Sequence, residues 1–244
     1  MVIRMRRPPL TGNRNRPIRE EPELTRLLQL CSPTLPIGGF SYSQGLEAAV
    51  DAGVVSDERT FEDWLRSGIE HQLGANEAPM LALMHRRWNE NDAATVCRYN
   101  AWFLASRESR ELRLETEQMG WSLADLAVKL GWGSDAVQAA LREIKPVALP
   151  TAFSFAANAL EIDVTEAVTG YCFNWTENQI AAAVKTVPIG QVAGQKILYS
   201  LHQTIERTAL TALATDFDQI STFTPQLAIL SARHEIQYSR LFRS

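Results

Sequence analysis

The chain has 244 residues and a mass of 27.3 kDa, with 45% hydrophobic, 21% charged and 8% aromatic residues and a formal net charge of −4. These fractions fit a globular protein with a sizeable core and exclude collagen-like, disordered and membrane-embedded classes. The charge is uneven: residues 1–19 hold six Arg and no acid, leaving 18 basic against 28 acidic residues, a body too acidic to sequester nucleic acid.

Residues 1–22, with Pro8, Pro9, Gly12 and Pro17 among the Arg, read as a solvated, disordered leader. Arg6-Arg7 is followed by Pro-Pro rather than an apolar run, so it is no twin-arginine signal. Leu24, Leu27, Leu28 and Cys31 then give a helical stripe that stops at Ser32-Pro33. Residues 33–40 read as an irregular loop, and a helix resumes at Ser41 or Ser43 and runs to about Ala52. The uncharged span Leu27–Leu46 contains Pro33, Pro36, Gly38, Gly39 and Gly45, too broken to cross a bilayer as a helix. The reading therefore places the protein in the cytoplasm, without a membrane.

Thr60 is expected to cap a helix with Phe61, Trp64, Leu65 and Ile69 inward. Asn76 is expected to cap the next, with Met80, Leu81, Met84 and Trp88 on its buried face. Residues 92–119 read as one long helix, followed by Trp121–Leu130, Ser134–Arg142 and the uncharged Thr151–Leu160, suited to the centre of a bundle. Thr165–Phe173 and Thr176–Thr186 read as separate helices, the second opening on a capping-box pattern, Thr176-x-x-Gln179. Pro188 ends it, and Gln191–Thr215 runs on as a long helix. With no strand-like alternation and no repeat, the fold class is all-α: a single-domain bundle of about ten helices over residues 23–244.

Chemistry is hard to find. Cys31, Cys97 and Cys172 form no Cys-x-x-Cys pair and read as reduced, buried thiols. Gly190 to Lys196 resembles a phosphate loop, but Gln195 and Ile197 stand where Gly and Ser or Thr are needed. His234-Glu235 opens like a zinc motif, but position 238 is Tyr. His71, His85, His202 and His234 are dispersed and read as surface or hydrogen-bonded residues. Glu108, Glu111, Glu115 and Glu117, interleaved with Arg107, Arg110 and Arg113, read as an ion-pair lattice on a helix. What remains is surface. Gln191, Gln195 and His202 share one helix face, either solvated or a polar docking face. Residues 233–244 carry Tyr238, Leu241 and Phe242 among three Arg, either a tail that orders on binding or one packed on its own domain.

With those residues in view, Leu27-Leu28-Gln29-Leu30 leading into Ser32-Pro-Thr-Leu-Pro-Ile-Gly-Gly-Phe-Ser-Tyr-Ser-Gln-Gly-Leu-Glu47 resembles the opening signature of the urease accessory protein UreF family. The resemblance continues through Ser106–Arg113, Glu177–Lys185, Val187–Gln191, Ala193–Gln195 and the ending Gln237–Ser244, and covers about residues 24–244. It implies an all-α protein with no catalytic activity. Such a protein dimerises, binds a UreD-type partner (also called UreH), and recruits and regulates a nickel-carrying UreG-type GTPase that loads nickel into apo-urease. No cofactor is expected on the chain itself; nickel and GTP are handled by the complex. The resemblance assigns Pro36, Gly38, Gly39, Phe40, Tyr42, Gln44 and Glu47, with Lys185 nearby, to the GTPase-facing surface. It assigns Gln191, Gln195, Arg233, Tyr238, Arg240, Leu241 and Phe242 to the dimer and to the tail that meets the UreD-type partner, Arg240 being suited to bridging Gln carbonyls or a chain terminus.

Overall fold

The structure is a computed structural model that describes residues 23–244; the Arg-rich segment 1–22, read as a leader, lies outside the described residues. Eleven α-helical segments form a bundle, and the described residues contain no strand. They are α1 (Glu23–Leu30), α2 (Leu46–Asp51), α3 (Glu58–Ser67), α4 (Ala78–Asn89), α5 (Ala93–Ala105), α6 (Arg110–Lys129), α7 (Asp135–Glu143), α8 (Leu149–Ala159), α9 (Val164–Thr186), α10 (Gln191–Ala214) and α11 (Pro225–His234). No helix among the described residues is long and apolar enough to cross a membrane.

The middle of the bundle is built on α8 and α4, whose residues Pro150–Ala157 and Ala78–His85 are buried without interruption. Helix α8 lies against α4 and α6, α10 against α9 and α4, and α11 covers α2 and α6. The approach of α6 to α8 depends on Gly120: a Cβ there would stand 2.3 Å from the Val147 carbonyl oxygen and 2.8 Å from the Leu149 nitrogen.

Several expected boundaries move. Helix α3 is capped by Asp57, whose carboxylate accepts the Thr60 N–H at 2.8 Å, so Thr60 completes a capping box from the third helical position. No cap exists at Asn76, because α3 and α4 are one rod joined by a π-helical stretch, Gly68–Glu77, which turns Gln72, Asn76 and Glu77 inward. The expected helix over 92–119 breaks at residues 106–109. Ser109 caps a new helix, α6, which absorbs Trp121 onward. Thr176 does not start a helix. It lies inside α9, its hydroxyl donating to the Cys172 carbonyl at 2.8 Å, and the cap is Asp163. Helix α2 begins at Leu46 rather than Ser41 or Ser43. Cys97 is exposed rather than buried, while burial pushes the Cys172 thiol up to about 12.

Candidate functional site: the C-terminal tail seated on the signature loop

The signature loop turns at two glycines in the left-handed region, Gly38 (φ 82°) and Gly45 (φ 81°), where a side chain would be strained. Gly39 instead lets the loop approach α9: a Cβ there would lie 3.0 Å from Asn178 Nδ2. The turn at Gly45 starts α2, which carries Glu47 inward. Helix α6 places Glu111 and Glu115 four residues apart, on one face.

These acids receive the end of the chain. Glu47 Oε1 accepts the Leu241 N–H at 2.7 Å, and its Oε2 accepts the Phe242 N–H at 3.1 Å. Arg240 Nη1 donates to Glu111 Oε1 at 2.6 Å. The Arg243 N–H donates to the Ser41 carbonyl at 2.9 Å, and the Ser43 N–H donates to the Ser244 carbonyl at 2.8 Å. Ser244 Oγ donates to Glu115 Oε2 at 2.6 Å, while Gln44 Nε2 donates to Glu115 Oε1 at 2.5 Å. His234, at the end of α11, lies between Glu47 Oε2 (3.1 Å from Nε2) and Glu111 Oε2 (2.6 Å from Nδ1). Behind the loop, Gln44 accepts from Trp175 Nε1 and from Gln72 Nε2. Gln179 Nε2 donates to the Ser43 carbonyl at 3.0 Å. Burial pushes the Glu115 carboxyl up to about 7, against the two hydrogen bonds it accepts. Burial also raises the Tyr42 phenol, a rise that Arg243 opposes by hydrogen bonding.

The loop and tail residues named from the sequence thus come together, but they divide by direction. Pro36, Phe40 and Lys185 are exposed and Gly38, Gly39 and Gln44 are half-buried, whereas Tyr42 and Glu47 face inward. In the tail Arg233, Tyr238 and Leu241 are exposed, Arg240 is half-exposed, and Phe242 is buried with Lys185 Nζ 5.5 Å from its ring centre. Gln191 and Gln195 are exposed at the start of α10, and among the described residues neither hydrogen-bonds the tail. Arg240 is held by the Glu111 carboxylate rather than by Gln carbonyls, because a carboxylate binds a guanidinium more strongly.

The sequence reading missed His234, Glu111 and Glu115 as parts of this site. The expected ion-pair lattice survives in one pair, Arg113–Glu117 at 2.9 Å. Four of its other members reach across the fold with their side chains: Arg107 to Glu77 at 3.1 Å, Glu108 to the Thr224 hydroxyl at 2.9 Å, and Glu111 and Glu115 to the tail. Between α6 and the tail runs an open groove of about 760 Å³ with Arg110, Leu114 and Arg243 on its walls. Among the described residues, no three His, Cys, Asp or Glu side chains are grouped to hold a metal ion.

Comparison with known proteins matches residues 55–202 to the UreF family. The chain is similar to the urease accessory protein UreF of Cupriavidus metallidurans, 56% identical over 227 residues that cover 91% of this chain and 98% of that protein. The UreF proteins of Cupriavidus pinatubonensis and Cupriavidus necator are 55% and 53% identical, with the same coverage.

Proposed function

Because the chain belongs to the UreF family of urease accessory proteins, we propose that it is a non-catalytic scaffold in urease maturation. In this reading a UreD-type partner binds the tail. A UreG-type GTPase is recruited and regulated at the signature loop beside Lys185, and the assembly inserts nickel, its cargo, into apo-urease. The exposed start of α10, with Gln191 and Gln195 flanked by the exposed Val192 and Tyr199, is the surface for a second copy of the chain. GTP and nickel belong to the complex rather than to this polypeptide.

The observation that carries the reading is the shared seat of tail and loop. Glu47 of the signature accepts two tail amides, so a partner that grips the exposed Tyr238 and Leu241 also fixes the loop that displays Phe40. Exposed aromatic and aliphatic side chains beside Arg are the anchors from which interfaces are built.

The test is size-exclusion chromatography with light scattering on the chain alone and with UreD-type and UreG-type proteins, GTP and nickel. A dimer that takes up both partners is expected, with Arg240→Ala losing the UreD-type protein while circular dichroism stays unchanged. A monomer that binds neither would end the scaffold reading. Unchanged co-purification of Arg240→Ala would end the assignment of the tail.

A further inference from the structure

The tail is held at its centre by a group that the family resemblance does not assign. His234 is fully buried, and each of its ring nitrogens faces a carboxylate oxygen from a different helix: Glu111 of α6 at 2.6 Å and Glu47 of α2 at 3.1 Å. A carboxylate can only accept, and a neutral imidazole carries one N–H. Both contacts are hydrogen bonds only when both ring nitrogens are protonated. We propose that His234 is the positioning residue of the tail, working as a double donor that ties α2, α6 and α11 together and orients Glu47 to receive the Leu241 and Phe242 amides. The proposal rests on the reading of the tail as a partner-binding element.

The surroundings fit a cation. The ring sits in the last turn of α11, where a positive charge meets the helix dipole favourably. The charged groups facing it are Glu47 from α2, Glu111 from α6 and Arg240 from the tail, whose Nη1 lies 2.6 Å from Glu111 Oε1 and 3.5 Å from the His234 carbonyl oxygen. Glu115 lies one turn further along α6. On the outer side Glu235 is occupied by the Arg110 N–H at 2.9 Å. With the ring doubly protonated, two anions meet two cations. Removing one proton turns a ring lone pair toward a carboxylate in a dry site, where unpaired charge is most costly. Glu47 then turns away from the ring, and the two tail amides lose their acceptor.

Two readouts on the full chain decide the matter without any partner. ¹⁵N NMR of the His234 ring is expected to show both nitrogens protonated while the tail is seated. Hydrogen-exchange protection of the Leu241 and Phe242 amides, corrected for intrinsic rates, is expected to be high in the same protein. In His234→Gln, whose amide cannot donate in two opposite directions, that protection is expected to fall at least tenfold while helicity is retained. A seated tail over a singly protonated ring, or His234→Gln protection equal to that of the unsubstituted chain, would overturn the proposal. Should His234→Gln fail to fold, the ring-nitrogen NMR of the unsubstituted chain decides alone. Loss of tail protection with undiminished co-purification of the UreD-type protein would leave the role of His234 standing and fault the partner reading instead.

Discussion

Glu115 is enclosed by protein, and its carboxylate accepts from two neutral groups, the Gln44 amide and the Ser244 hydroxyl. Burial raises it to about 7 from an ordinary 4.5. A carboxyl raised on folding is protonated in the native state where the unfolded chain has already lost the proton. Its stabilising contribution is therefore full below pH 4.5 and is lost as pH climbs to about 7. The shift corresponds to a ceiling of about 3 kcal/mol. Glu115→Gln keeps an acceptor for Gln44 and can donate to Ser244. The variant is expected to gain roughly 1–3 kcal/mol at pH 8 and almost nothing at pH 4.5. Urea unfolding at several pH values checks this, and parallel profiles for the two proteins would remove Glu115 as the source. Nothing in the local sequence distinguishes Glu115 from Glu117, which makes the ordinary pair with Arg113. The contacts that set Glu111 and Glu115 apart span 123 and 129 positions. Helical spacing predicts neighbours three or four residues away and is silent about such contacts. His234 looked isolated for the same reason, its partner Glu47 being 187 positions away.

Among the elements, the contact of α6 with α8 has the least tolerance. The atoms that a Cβ at Gly120 would strike belong to the backbone of residues 147–149, which cannot rotate away as a side chain can. Gly120→Ala is expected to cost about 3 kcal/mol or more, lowering the thermal midpoint by several degrees. Gly190→Ser serves as the control: nothing lies within 4 Å of a Cβ there, φ is −89°, and Ser suits the cap of α10. Its stability is expected to stay within about 0.5 kcal/mol or to rise. Equal losses in the two variants would mean that α6 can shift away from α8. The helices legible in the sequence were those with local punctuation: α7 after Ser134, α8 between Pro150 and Leu160, and α10 after Pro188 and Gly190. The misread ones had punctuation put to another use. Thr176 and Gln179 look like a capping box, but Gln179 reaches the Ser43 carbonyl of the signature loop and Thr176 bonds back along its own helix. Asn76 looks like a cap and is buried in a π-helical turn. Such turns are frequent at functional sites, and this one turns Gln72 onto Gln44 and Glu77 onto Tyr171.

For the whole molecule, the decisive property of the tail is how weakly it is held. Burying Phe242 contributes about 2–3 kcal/mol. The two charge-assisted bonds to Glu47 contribute roughly 1.5–3 kcal/mol each and the neutral ones to Glu115, Ser41 and Ser43 about 0.5–1.5 kcal/mol each, and the half-exposed Arg240–Glu111 pair adds at most about 1 kcal/mol. Fixing five residues costs about 5–10 kcal/mol of backbone entropy. The opposing terms cancel to within a few kcal/mol, so the seated and released tails are close in free energy. A partner that binds one of them better can then shift the population with modest differential affinity. Removing residues 240–244 is accordingly expected to change global stability by no more than about 2 kcal/mol, a shift of a few degrees in the midpoint for a chain of this size. The same truncation is expected to abolish capture of the UreD-type protein. Thermal unfolding and co-purification on one preparation separate the possibilities. A midpoint lowered by more than ten degrees would make the tail an integral part of the core, closed to exchange with a partner. A near-normal midpoint with undiminished capture would move the partner's footprint off the tail, onto the exposed loop around Phe40.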